Sequence, residues 1–118
     1  DLMGQENAES TGTRQLSGVG GQMDFLEGAY RSKGGKGFIC INSSRVTKDG
    51  ERKSNILATI PGGSTISAPR TMIQYVATEY GIASLSGKTL RERAEAMASI
   101  AHPDFREELM KYAQENFK

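Results

Sequence analysis

The chain has 118 residues, a length that fits one ordinary domain with its own core but is short for a complete α/β enzyme. Fifteen Lys and Arg stand against fourteen Asp and Glu, and because the two signs are interspersed no nucleic-acid-binding surface is expected. No apolar run approaches the roughly 18–20 residues that cross a bilayer, and the N-terminus carries no signal-peptide pattern. We therefore expect a soluble, cytoplasmic protein that binds neither nucleic acid nor membrane.

Residues 5–16 are polar, rich in Ser, Thr and Asn, and predict a loop. Gly18, Gly20 and Gly21 follow, directly before an amphipathic segment. Glycine permits positive φ and close approach of a ligand, and the first turn of a following helix adds unpaired N–H donors and a partial positive charge. The segment suits an oxyanion, a phosphate or a thioester carbonyl, but the same pattern occurs in plain tight turns.

A helix is predicted from Gly21 to about Lys33, because Met23, Leu26 and Tyr30 recur at helical steps before a glycine pair. Strands are predicted over 38–41, 55–60, 64–67 and 72–78, and a hairpin over 45–53 that turns at Asp49-Gly50. Cys40, the only cysteine, lies in the apolar run 38–41, so a buried and unreactive thiol is expected.

The C-terminal third predicts two helices. Thr89 and Glu92 form a capping box ahead of an apolar face, and Pro103 ends that helix and can begin the next. His102, the only histidine, precedes this proline, which favours a capping role over a catalytic one. The order of loop, helix, strands and two helices indicates the α/β class, with short strands that are part of a sheet completed elsewhere.

Five motifs occur in order along the chain: Ser17–Phe25 (SGVGGQMDF), Ser32–Lys36 (SKGGK), Ala77–Ala83 (ATEYGIA), Leu85–Arg93 (LSGKTLRER) and Ala101–Arg106 (AHPDFR). The series resembles the C-terminal domain of the acetyl-CoA hydrolase/transferase family, most closely its 4-hydroxybutyrate and butyrate CoA-transferases, from about Gly4 to Tyr112. The resemblance implies that residues 1–118 form a single C-terminal domain of the open α/β CoA-transferase type. It also implies that this domain is a fragment of a larger two-domain enzyme.

In that family, CoA moves between short-chain carboxylic acids such as acetate and butyrate or 4-hydroxybutyrate through a glutamyl-CoA thioester. The resemblance implies acyl-CoA and short carboxylates as substrates, a homo-oligomer, no metal and no tightly bound cofactor. The nucleophilic glutamate is expected in the missing N-terminal half, so no catalytic residue is assigned here and the chain alone is predicted to be inactive. Two alternatives stay open: an acyl-CoA hydrolase of the same family, and a non-catalytic anion-binding or interaction module.

The resemblance places Gly18, Gly20 and Gly21 at the backbone donor site beside the CoA thioester, with Gln22 orienting the substrate or the loop. Glu79 ends a strand at a turn, where ligand-facing residues often lie in open α/β sheets, so it is a second substrate-binding candidate. Its alternative role is to cap backbone N–H groups or to pair with an arginine.

The remaining charged residues of the motifs receive structural interpretations. Arg93 and Arg106 are expected to join the last two helices. Lys33 and Lys36 could contact CoA phosphates, although a solvated turn is favoured.

Overall fold

The computed structural model describes residues 1–118, which form seven short strands and three helices. The strands are β1 (Ser10–Thr11), β2 (Arg14–Gln15), β3 (Phe38–Cys40), β4 (Ser44–Val46), β5 (Arg52–Ser54), β6 (Tyr75–Thr78) and β7 (Gly81–Ser84). The helices are α1 (Gln22–Arg31), α2 (Leu90–Ser99) and α3 (Pro103–Asn116). None of the three helices has the length and apolar content needed to span a bilayer. The mixture of short strands with two C-terminal helices confirms the α/β class.

The main sheet has the order β3-β6-β7. β3 runs parallel to β6, and β7 returns antiparallel after the turn at Glu79 and Tyr80. Ile39, Val76 and Ala83 lie side by side in the register, and Val76 and Ala83 are buried in one apolar cluster with Met97 of α2. The core therefore lies between one face of this sheet and the C-terminal helices.

Three predicted elements have clear local causes and are confirmed. The side chain of Thr89 accepts the N–H of Glu92, whose carboxylate accepts the N–H of Thr89, so the capping box starts α2. Pro103 occupies the first position of α3, and Nδ1 of His102 accepts the N–H of Asp104 at 3.3 Å, which makes His102 a helix cap. The predicted hairpin is formed by β4 and β5.

The strand predictions over 55–60 and 64–67 are wrong. Ser54 bonds through its hydroxyl to both the N–H and the carbonyl of Ile56, which closes a tight turn after β5 and takes the backbone out of the ladder. Residues 64–67 lead only into an isolated bridge between Ala68 and Glu6. Of 72–78, only β6 joins the sheet, and β7 was not predicted. Within the predicted loop 5–16, β1 and β2 form a minimal hairpin.

The prediction of a buried Cys40 is also wrong, because the thiol is exposed. Side chains alternate across a strand, so Ile39 faces the core while Phe38 and Cys40 face the other side of β3. That second side is uncovered, and Phe38 is 45% exposed. An apolar run of four residues predicts a strand but does not reveal how many of its faces are covered.

Arg93 does not join α2 to α3 as predicted. Its buried guanidinium donates to the carbonyls of Met3 at 2.9 Å and Leu85 at 2.6 Å, and also to the carbonyl of Arg70. It thus fastens three separate loops to α2. Arg106 does contact the connection between the two helices, donating from Nε to the carbonyl of Ala101 at 2.8 Å.

Candidate functional site

The glycine loop, residues 17–21, leads directly into α1. Gly20 has φ +62°, and Gly21 is the N-cap residue, with φ −93° and no side-chain cap. All five residues are exposed, and the backbone N–H groups of Gly18, Gly20 and Gly21 have no hydrogen-bond partner within the chain. The loop therefore presents a row of free donors at the positive end of the α1 dipole.

The space around the loop indicates why glycine stands there. A Cβ atom at Gly18 or Gly20 would meet nothing within 4 Å, and at Gly21 it would meet only ring carbons of Phe25, at 3.8 and 3.9 Å. Positive φ accounts for glycine at position 20 alone. At positions 18 and 21, neither the backbone conformation nor internal packing requires glycine. The missing side chains leave open space for a ligand next to the donors.

Gln22 holds the loop in place. Its Nε2 donates to Oε2 of Glu6 at 2.7 Å, so the side chain is engaged on the protein side of the loop. The backbone of Glu6 is fixed in turn, because its carbonyl accepts the N–H groups of Ser67 and Ala68 and its own N–H donates to Ala68. Burial raises the pKa of the Glu6 carboxyl, and the hydrogen bond from Gln22 partly offsets that rise. Of the two roles considered for Gln22, this geometry matches orientation of the loop.

Glu79 stands at the carboxyl end of β6, next to the end of the parallel strand β3. One carboxylate oxygen accepts the hydroxyl of Ser43 at 2.6 Å, and the other accepts the N–H of Ser43 at 2.9 Å. These bonds, the hydroxyl first, lower the pKa of Glu79. The arrangement is that of a carboxylate capping a backbone N–H, and it ties the β3–β4 connection to the end of β6.

A cavity of about 570 Å³ lies between the N-terminal segment and the sheet. Its floor is apolar, with Ile39 and Val76 of the sheet and Met97 of α2, and its polar rim includes Glu6 and Asn7. Glu6 therefore links this cavity to the glycine loop through Gln22. The volume lies within the range of roughly 300–1,000 Å³ that is typical of small-molecule pockets.

The structure does not gather the other charged candidates at the glycine loop. Lys33 and Lys36 are exposed in the turn after α1 and form no ion pair. Across residues 1–118 no group of three or more His, Cys, Asp or Glu side chains is placed to hold a metal ion. Glu6 and Ser43 were not predicted as site residues, because nothing near either residue in the sequence indicates its distant hydrogen-bond partner.

Comparison with known proteins supports the family that the five motifs indicated. The family model described as the acetyl-CoA hydrolase/transferase C-terminal domain matches residues 1–113. The chain is 49% identical, over 97% of its length, to a butyryl-CoA:acetate CoA-transferase of Anaerostipes caccae. It is 50% identical, over 99% of its length, to a 4-hydroxybutyrate coenzyme A transferase of Clostridium kluyveri. An acetyl-CoA hydrolase of Kluyveromyces lactis is 31% identical over 95% of the chain.

Among solved structures, RipA from Yersinia pestis superposes on 98% of the chain with a TM-score of 0.82 and 40% identity. The chain spans only 26% and 27% of the two transferases, and 25% of the RipA chain. It is thus similar to about one quarter of each of these longer proteins.

Proposed function

The chain belongs to the acetyl-CoA hydrolase/transferase family, as its C-terminal domain, and from this we propose that it is the C-terminal part of a CoA-transferase. The enzyme moves CoA between short-chain carboxylic acids such as acetate and butyrate or 4-hydroxybutyrate. The higher identity to the two transferases than to the hydrolase supports transfer to a carboxylate over transfer to water. The substrates are acyl-CoA and a free carboxylate.

The proposed reaction proceeds through a glutamate supplied by the rest of the polypeptide. Its carboxylate attacks the thioester carbonyl carbon, and the C–S bond breaks to give an acyl-glutamyl anhydride and CoA thiolate. The thiolate then attacks the glutamyl carbonyl and releases the first carboxylate, leaving a glutamyl-CoA thioester. The acceptor carboxylate reverses both steps, so no net charge or redox change occurs.

The observation that carries the proposal is the row of free N–H donors at Gly18, Gly20 and Gly21. Each carbonyl addition places negative charge on an oxygen, and fixed backbone donors stabilise such an oxyanion without reorganising. The positive end of α1 adds to the field at the same point. The open space beside the glycines admits a bulky thioester to within hydrogen-bond distance of the backbone.

In this proposal Gln22 and Glu79 are positioning residues. Gln22 fixes the start of α1 through Glu6, and Glu79 fixes the β3–β4 connection through Ser43. Neither the Glu6 carboxylate nor the Glu79 carboxylate is proposed as the nucleophile. Glu6 already accepts a hydrogen bond from Gln22, and Glu79 already accepts two from Ser43.

The test uses the full-length polypeptide with butyryl-CoA, in the presence and absence of acetate. We expect acetyl-CoA to form only when acetate is present, with little free CoA released in its absence. Borohydride reduction after incubation with acyl-CoA should convert one glutamate of the upstream part to the corresponding alcohol, detectable by peptide mass spectrometry. Equal release of free CoA with and without acetate would indicate a hydrolase. No turnover of any acyl-CoA would favour a binding module.

A further inference from the structure

One polar atom in the wall of the cavity has no hydrogen-bond partner. The Oγ atom of Ser64 is buried, and it is the one buried side-chain nitrogen or oxygen of residues 1–118 that is left unpaired within the chain. Ser64 lines the cavity of about 570 Å³ together with Ile60 and Pro61 of the same segment. A buried hydroxyl without a partner destabilises a protein, so its place in a cavity wall indicates that a ligand supplies the partner.

Ser64 is held in the cavity wall by the residues on either side of it. The N–H of Thr65 donates to the hydroxyl of Ser10 at 3.1 Å. Gly63 has φ +82° and packs so closely that a Cβ atom there would lie 2.7 Å from Cγ2 of Thr13. Both contacts fix the segment against the β1–β2 hairpin, so the position of the Ser64 hydroxyl is set by the fold.

The neighbouring hydroxyl groups all bond within the chain. The hydroxyl of Thr65 donates to Oε1 of Gln15 at 3.0 Å, and the hydroxyl of Ser67 accepts the N–H of Ala8 at 2.9 Å. Neither Thr65 nor Ser67 lines the cavity. The unpaired hydroxyl of this segment is thus the one that the fold places in the cavity wall.

The rest of the cavity suits an aliphatic ligand with few polar groups. On the rim, the side-chain amide of Asn7 donates to Ser10 and accepts the N–H groups of Glu9 and Ser10, and Arg45 donates to the side chain of Asn55 at 2.6 Å. These groups are already engaged with the protein. The floor is made by the apolar side chains of Ile39, Val76 and Met97.

We propose that Ser64 determines acyl specificity, because its hydroxyl pairs with a hydroxyl group on the acyl chain and so selects a hydroxy acid such as 4-hydroxybutyrate over butyrate. This inference rests on the proposed function and names its substrate class. Glu6 lines the cavity and bonds to Gln22, the residue directly after Gly21, so the tail of an acyl group held at the glycine loop extends into the cavity. A site that hydrogen-bonds a substrate hydroxyl rejects the analogue without it, because the protein's own polar group then stays unpaired.

The first test measures kcat/KM of the full-length polypeptide for 4-hydroxybutyryl-CoA and for butyryl-CoA, with acetate as acceptor. We expect Ser64→Ala to lower the ratio of the two values, hydroxy acid over butyrate, about 10-fold. The ratio is taken within one variant, so a loss of stability or of active protein cancels. Thr65→Val is the matched control, since it removes the adjacent hydroxyl, which bonds to Gln15 outside the cavity, and should leave the ratio unchanged. An unchanged ratio in Ser64→Ala, or an equal fall in Thr65→Val, would overturn the proposal.

The second test needs no turnover. The melting temperature of the full-length polypeptide is measured with equal concentrations of 4-hydroxybutyrate or butyrate, because a ligand that binds the folded state raises it. We expect a larger rise with the hydroxy acid in the unmodified protein and equal rises in Ser64→Ala. Equal rises in the unmodified protein would contradict hydroxyl recognition. Unequal rises without any CoA transfer would support hydroxyl recognition and refute the proposed reaction, so the two failures are distinguishable.

Discussion

Replacing the loop glycines with valine in the full-length enzyme separates catalysis from folding. Gly20→Val and Gly21→Val place a branched side chain where the structure leaves open space next to the backbone donors. Either side chain would hold the thioester carbonyl away from the N–H groups. Losing one such donor typically costs on the order of 100- to 1,000-fold in turnover, or about 2.7–4 kcal/mol of transition-state stabilisation.

The folding cost differs between the two positions. Gly20 has φ +62°, so valine there is strained by roughly 1–3 kcal/mol, whereas Gly21 has φ −93° and meets only the movable ring of Phe25. Gly50 is the matched control, because it has φ +82° with nothing within 4 Å of a Cβ atom and lies at the tip of the β4–β5 hairpin. Gly50→Val therefore carries the same kind of strain as Gly20→Val without approaching the donors.

The assay measures kcat for acetyl-CoA formation at saturating butyryl-CoA and acetate, together with denaturant unfolding of each variant. We expect kcat to fall about 100- to 1,000-fold in Gly20→Val and Gly21→Val and to stay near normal in Gly50→Val. Stability should fall in Gly20→Val and Gly50→Val, and by about 1 kcal/mol in Gly21→Val, which replaces the N-cap glycine of α1. Near-normal kcat in Gly21→Val would refute the donor assignment, as would a loss of kcat in Gly50→Val equal to that in Gly20→Val.

Three further predictions concern the contacts that hold the domain together and the division of the active site. Arg93→Met should destabilise the protein by at least about 3 kcal/mol in a denaturant titration, because three carbonyls lose a charged donor. The control Arg91→Met removes only an exposed ion pair with Glu95 and should cost about 0.5 kcal/mol or less in the same titration. Ser43→Ala should destabilise the protein near neutral pH and progressively less in acid. The hydrogen bond from Ser43 lowers the pKa of Glu79 in the folded state. Its stabilising effect is therefore present above the usual Glu79 pKa of 4.5 and is lost as the pH falls through the lower pKa of the folded state. The 118-residue chain by itself, mixed with butyryl-CoA and acetate, should form no acetyl-CoA above background, and measurable turnover would place the nucleophile within these residues.

Features that depend on a few neighbouring residues were predicted from the sequence. The capping box of Thr89 and Glu92 closes within three residues, so the start of α2 follows from local chemistry alone. The same holds for Pro103 at the start of α3, for the turn at Asp49-Gly50, and for a glycine loop ahead of a helix. The motif series identified the family because its order and spacing are properties of the sequence itself.

Features that depend on distant partners were decided by the tertiary structure. Arg93 bonds to Met3, 90 positions away, and Glu79 bonds to Ser43, 36 positions away, and no local pattern encodes either pair. Cys40 is exposed because the chain covers only one face of β3, which the apolar run 38–41 could not reveal. A sequence fixes short-range hydrogen bonding and the periodicity of side chains, but burial depends on which other segments arrive at a surface, and that is settled only when the chain folds.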